Sequence, residues 1–153
     1  MSKSKRVLKN GRTIMPARYI MLYHWMMKTE AWRSLDGNAR AIYVELASRY
    51  GGPGSNNGRI AYSARQAAEN LHISKDTASR ALKVLQDRGF IAVVTKGAFS
   101  RKNPHATEYR LTEFDCDVTG ELATKDFTRW SPPVPVVVPF TPRNERAPIQ
   151  EAA

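Results

Sequence analysis

The sequence predicts a mainly α-helical domain with a small β-hairpin, an α+β fold, and three observations carry that expectation. Residues 73–90, "ISKDTASRALKVLQDRGF", place Ala78, Ala81, Leu82 and Leu85 on one stripe of a helix turning about 100° per residue. Ser63 and Ser74 each stand just before a helical pattern, where a hydroxyl can accept from the free N–H groups of a first turn. Residues 90–96 and 106–112 are β-branched or alternating and flank a turn-rich basic loop, as the two strands of a hairpin do. The chain's 153 residues suit one domain of ordinary size with tails.

The elements follow in order. Residues 1–18, "MSKSKRVLKNGRTIMPAR", are polar, basic and without periodicity, and read as a flexible arm. The apolar density of residues 19–30 predicts a helix with Ile20, Tyr23 and Met27 on one face and Trp25 nearby. A second helix follows Asp36, a natural N-cap, with Ala39, Ile42, Tyr43 and Leu46 at helical spacing. The glycine-rich "GGPGSNNG" at 51–58 ends it. "RIAY" (59–62) is a short strand. Ser63 caps a helix over 64–71, Ser74 caps the next over 75–88, and Gly89 supplies its left-handed stop. Residues 90–96 form a strand, 97–105 a basic loop and 106–112 the returning strand, giving a small three-stranded sheet.

Past Phe114 the pattern weakens. Residues 115–130 are acidic and irregular, with Phe127 and Trp130 expected to pack back on the domain. Residues 131–153 hold six of the nine prolines, and such a segment favours extended polyproline II over a packed core. The organisation expected is therefore an arm (1–18), a domain (19–130) with its helix pair at 63–89 and hairpin at 90–112, and a proline-rich tail (131–153).

Charge is placed unevenly. The formal net charge of +10 divides into +6 over residues 1–18, +1 over 19–58, +6 over 59–110 and −3 over 111–153. Concentration in an arm and one central block is the pattern of a polyanion binder, whereas a merely solvated basic surface spreads its charge. Cys116 is the only cysteine, so no internal disulfide can form, and His24, His72 and His105 lack ligand spacing, so neither metal nor cofactor is expected. "YIMLYHWMM" is too short to span a membrane, and no small-residue cleavage site follows it. The expected location is cytoplasmic and nucleoid-associated. No paired-carboxylate site, GxxxxGK[ST] loop, HExxH or Ser-His-Asp arrangement is present, and the expectation is a binding protein rather than an enzyme.

The functional signal lies in the helix pair. Ala67, Ala68 and Leu71 would face Ala78, Leu82 and Leu85, small residues that let two helices cross closely, with His72 at the turn position that usually holds a left-handed glycine. "SARQAAENLHISKDTASRALKVLQDRGFI" resembles the reading head of GntR-type bacterial regulators, a winged helix-turn-helix whose strand-loop-strand wing follows directly. With the helices at 19–50 the chain more closely resembles the N-terminal winged domains of plasmid and phage replication initiators. The resemblance implies a winged helix-turn-helix fold that binds double-stranded DNA; regulators and initiators share it.

On that reading the second helix enters the major groove by its N-terminal half. The candidates there are Lys75, Asp76, Thr77, Ser79, Arg80 and Lys83. Arg80 can reach guanine O6 and N7 with two bonds, and Asp76 suits a helix N-terminus and can hold Arg80 at i,i+4. Asp76–Arg80 and Lys83–Asp87 can equally be exposed pairs of small energy. Ser63 and Arg65 flank this helix, and the wing offers Lys96, Arg101, Lys102 and His105 for phosphate or minor-groove contact. Phe99 either folds under the hairpin or wedges between bases. In the arm, Lys3, Lys5, Arg6, Lys9 and Arg12 could lie along a minor groove. Transcriptional regulation leads. Replication initiation or another mobile-element role is the alternative, and a winged-helix protein adaptor is a third. A homodimer and a protein partner for the tail are further expectations.

Overall fold

The computed structural model describes residues 18–98 and 105–133. The order is α1 (His24–Met27), α2 (Glu30–Arg33), α3 (Gly37–Arg49), β1 (Ile60–Ala61), α4 (Ala64–Leu71), α5 (Lys75–Asp87), β2 (Ile91–Thr95) and β3 (Glu108–Leu111), followed by a 3-10 turn at Asp126–Thr128. Among the described residues the fold is thus α+β, five helices with one three-stranded antiparallel sheet in the order β1-β3-β2.

The caps are where the side-chain chemistry puts them. Asp36 accepts from the Ala39 N–H at 2.7 Å to start α3. Ser63 accepts from the Gln66 N–H at 3.1 Å while Gln66 Oε1 accepts from the Ser63 N–H at 3.0 Å, a reciprocal box at the start of α4. Ser74 accepts from the Thr77 N–H at 3.0 Å to start α5. Gly89 ends it at φ +75°, and a Cβ there would meet Asp126 Cβ at 2.7 Å and the Phe127 N at 2.9 Å. Its bareness therefore serves the returning chain as well as the backbone angle.

The expected helix over 19–30 is not formed. Thr29 divides it: its hydroxyl donates to the Met26 carbonyl at 2.7 Å and accepts from the Trp32 N–H at 3.2 Å, closing α1 and capping α2. Ile20 and Tyr23 lie on the surface, Met27 of the predicted face is half-buried against the core, and Met26 is the residue that enters it fully. Apolar density was high there, but apolar periodicity was not.

A single apolar cluster joins α1–α5 to the sheet. Ala39, Ile42, Tyr43 and Leu46 of α3 and Ala78, Ala81, Leu82 and Leu85 of α5 are all buried, as their spacing predicts. Aromatic rings fill the middle. Phe90 meets Trp32 and Tyr43 edge-on at 5.7 and 5.6 Å and stacks on Phe127 at 4.7 Å. Phe127 continues the stack to Trp25 at 5.7 Å, and Trp130 lies against Arg88 at 4.9 Å. The irregular segment after Phe114 therefore does pack back.

Two buried polar groups tie that segment down. Asn57 donates to the carbonyls of Leu111, Phe114 and Asp115 at 3.0, 3.1 and 2.9 Å and accepts from the Leu111 N–H at 2.7 Å. Tyr43 donates to Glu113 Oε2 at 2.7 Å. Burial raises the Glu113 carboxyl above its usual value, against the opposing effects of the Tyr43 hydrogen bond and Lys125. Burial and the Glu113 charge push the Tyr43 hydroxyl up in turn.

Candidate functional site

The turn between α4 and α5 sets the site. His72 adopts φ +53° and ψ +43° at the end of α4, the left-handed conformation that its position predicts, although it carries a side chain. The Ile73 N–H donates back to the Ala68 carbonyl at 3.1 Å, so the chain reverses within three residues before Ser74 restarts it. Ala67 of α4 and Ala78 of α5 are both fully buried, which brings the two helices close.

The hairpin completes the site. β2 and β3 pair antiparallel through Ile91–Leu111, Ala92–Arg110 and Val93–Tyr109, with a bulge before Thr95–Glu108. Beyond the bulge, Ala98 and His105 exchange main-chain hydrogen bonds, and His105 Nε2 lies 2.9 Å from the Lys96 carbonyl. Gly97 allows the two sides to approach, since a Cβ there would meet the Thr107 N at 2.8 Å and the His105 O at 2.9 Å.

Between this hairpin and the two helices runs a groove of about 520 Å³. Ser63 and Arg65 contribute from the start of α4, Lys75 and Ser79 from α5, and His105 from the hairpin. Among the described residues the lining contains no aspartate or glutamate, and Gln66, Gln86 and Thr107 add neutral hydrogen-bonding groups. A site of this composition offers cations and donors to an anionic partner without a carboxylate to repel it.

The predicted face of α5 is not one surface. Lys75, Ser79, Leu82 and Gln86, spaced i, i+4, i+7 and i+11, line the groove. Asp76, Arg80, Lys83 and Asp87 repeat the same spacing one residue later and form a neighbouring exposed stripe. Lys83 Nζ pairs with Asp87 Oδ1 at 2.9 Å, the two side chains 74 % and 53 % exposed. The expected Asp76–Arg80 side-chain contact is absent. Arg80 Nε instead donates to the Asp76 main-chain carbonyl at 3.4 Å. Thr77 is half-buried, with its hydroxyl 2.9 Å from that of Ser74, so it belongs to the cap.

Lys96 is exposed beside the hairpin's long loop. Arg101, Lys102 and Phe99, the arm residues Lys3, Lys5, Arg6, Lys9 and Arg12, and the tail beyond Pro133 lie outside the described residues. Gln66, Gln86, Tyr62 and Thr107 line the groove without having been singled out. For Gln86 a signal existed, its place three turns along the helix from Lys75. The others depend on where the hairpin comes to rest.

Comparison with family models, with curated proteins and with solved structures finds no match. Among the described residues no cluster of His, Cys, Asp and Glu could hold a metal ion, and no helix is long and apolar enough to cross a membrane.

Proposed function

We propose that this chain binds double-stranded DNA as a winged helix-turn-helix protein, with α4 and α5 as the helix pair and the β2–β3 hairpin as the wing, and that it regulates transcription. The observation that supports this most is the basic groove, whose described lining carries no carboxylate and to which α4, α5 and the hairpin each contribute a polar or cationic side chain. Arg65 and Lys75 take phosphate oxygens from the groove, which positions the protein without reading sequence. Arg80, on the outer stripe, is the residue free to present a guanidinium fork to a guanine edge. Lys96 and the basic hairpin loop contact the backbone alongside.

Replication initiation uses the same surface and differs only in what the bound site is for. The protein acts in the cytoplasm by occupancy of its site, with neither a catalytic step nor a cofactor. Affinity for duplex DNA measured across a salt series tests the reading. A steep fall in log K with log salt, scaling with the number of neutralised phosphates, is expected. An affinity for duplex that is weak and insensitive to salt would leave the protein-adaptor alternative. Selection of bound fragments from random DNA then separates specific recognition from general attraction.

A further inference from the structure

A second groove, of about 760 Å³, lies on a different part of the surface from the basic one. One wall is the segment 19–23, whose side chains are unusually open to water: Tyr19 is 79 % exposed, Met21 47 % and Ile20 40 %. The opposite side is the Tyr50–Phe114 pair, stacked at 4.7 Å, with Pro53 beside it. Three tyrosines and a phenylalanine thus frame one channel, and among the described residues Arg18 is its one lining cation and Glu113 its one lining acid. Exposed apolar residues gathered in this way mark an interaction surface rather than ordinary scatter.

The sequence supplies an occupant of matching chemistry. Pro132 and Pro135, and again Pro139 and Pro142, stand three residues apart in the tail. In polyproline II that spacing is one turn, so each pair presents its rings along a single edge. Aromatic-lined channels accept such edges because the proline rings lie flat on aromatic faces and the extended chain has little order left to lose. Tyrosine hydroxyls at the rim can donate to the tail's carbonyls, which have no partners within a polyproline helix.

The course of the chain and its charge bear on the same occupant. From Phe127 the ring stack passes to Trp25 at 5.7 Å and to Tyr23 at 6.0 Å, and Tyr23 lines the channel. The described chain ends at Pro133, and ten further residues extend about 30 Å at 3.1 Å each. Arg143 follows Pro142 directly. Beside the channel, burial and the Asp117 and Asp115 carboxylates raise the Tyr50 hydroxyl, a sign of negative potential on that side. Asp117 also accepts from the Gly54 and Ser55 N–H groups next to Pro53.

We propose that this aromatic channel is a polyproline-binding site whose occupant is the chain's own tail, residues 134–143, folded back on the same molecule. The proposal is independent of the DNA reading, since the channel shares no lining residue with the basic groove.

The test uses the full chain with the photo-crosslinker benzoylphenylalanine in place of Phe140, prepared as a mixture of isotopically labelled and unlabelled protein. Irradiation is expected to join position 140 to residues 19–23, 50–53 or 114 of the same molecule, identified by mass spectrometry of the peptides. Adding Pro139→Ala and Pro142→Ala should lower the yield several-fold. So should Tyr19→Ala, whose exposed side chain the core does not need. Mixed-isotope pairs at the statistical share of about half, expected from an equal mixture when joining is between molecules, would overturn the proposal in favour of a second copy as host. Crosslinks confined to other surfaces, no crosslink at all, or a yield indifferent to these substitutions would overturn it outright.

Discussion

Two stripes of one helix, side by side on α5, differ in what they do with charge. The outer stripe holds Asp76, Arg80, Lys83 and Asp87, two acids and two bases, with Lys83 already engaged by Asp87. The inner stripe holds Lys75 and no acid, and it faces Arg65 across a groove closed by the hairpin. Sequence position separates them by one residue throughout. If the chain binds DNA as proposed, the difference separates attraction from discrimination: the inner stripe has a net positive charge, while the outer has one guanidinium among compensating charges.

On the DNA reading, reversing the inner stripe has the largest effect. Arg65→Glu with Lys75→Glu is expected to weaken duplex binding on the order of 100-fold and to flatten the salt dependence by about two phosphates, with the melting temperature preserved because neither side chain belongs to the core. A similar loss from neutralising Lys83 alone would erase the distinction between stripes. Arg80→Ala is expected to cost about 1–3 kcal/mol on a selected site and little on random duplex. Equal losses on both would make Arg80 a phosphate contact and merge the two roles.

Other substitutions separate fold from binding. His72→Gly, at the left-handed turn that aims both stripes, is expected to raise stability by about 0.5–1 kcal/mol in thermal or denaturant melts. Glu113→Gln touches neither stripe. The Glu113 carboxyl is held above its usual value in the folded chain, so the folded state keeps its proton longer than the unfolded one. Stability linked to it is present at low pH and declines as pH rises from the unfolded value through the folded one. The glutamine variant, still accepting from Tyr43, should lose that decline, with duplex affinity unchanged. Smallest of all, a double-mutant cycle on Lys83 and Asp87 should return a few tenths of a kcal/mol, since both ends stand in water.

Local chemistry was legible in the sequence and long-range partnership was not. Asp36, Ser63, Ser74 and Gly89 act within three or four residues, so the starts of α3, α4 and α5 and the end of α5 can be read directly from the chain. Residues 19–30 misled because Thr29 can serve two helices at once, and apolar density hides such a break. The bonds from Tyr43 to Glu113 and from Asn57 to Leu111 join residues with no shared local pattern. At the candidate site, the exposure of Arg80 and Lys83 followed from periodicity. The division of α5 into two stripes did not, because it depends on the side from which the hairpin approaches.

Asn57 precedes Gly58, and asparagine before glycine is the pair in which the side-chain amide most readily closes on the next N–H and hydrolyses to aspartate. Here the amide is fully enclosed, with both of its ends committed to the chain around Leu111. Conversion would strip three carbonyls of their donor and set a carboxylate where water does not reach. Folding thus shelters this perishable bond. A molecule that lingers unfolded exposes this residue to the reaction, and the aged form has lost the amide that holds the chain around Leu111.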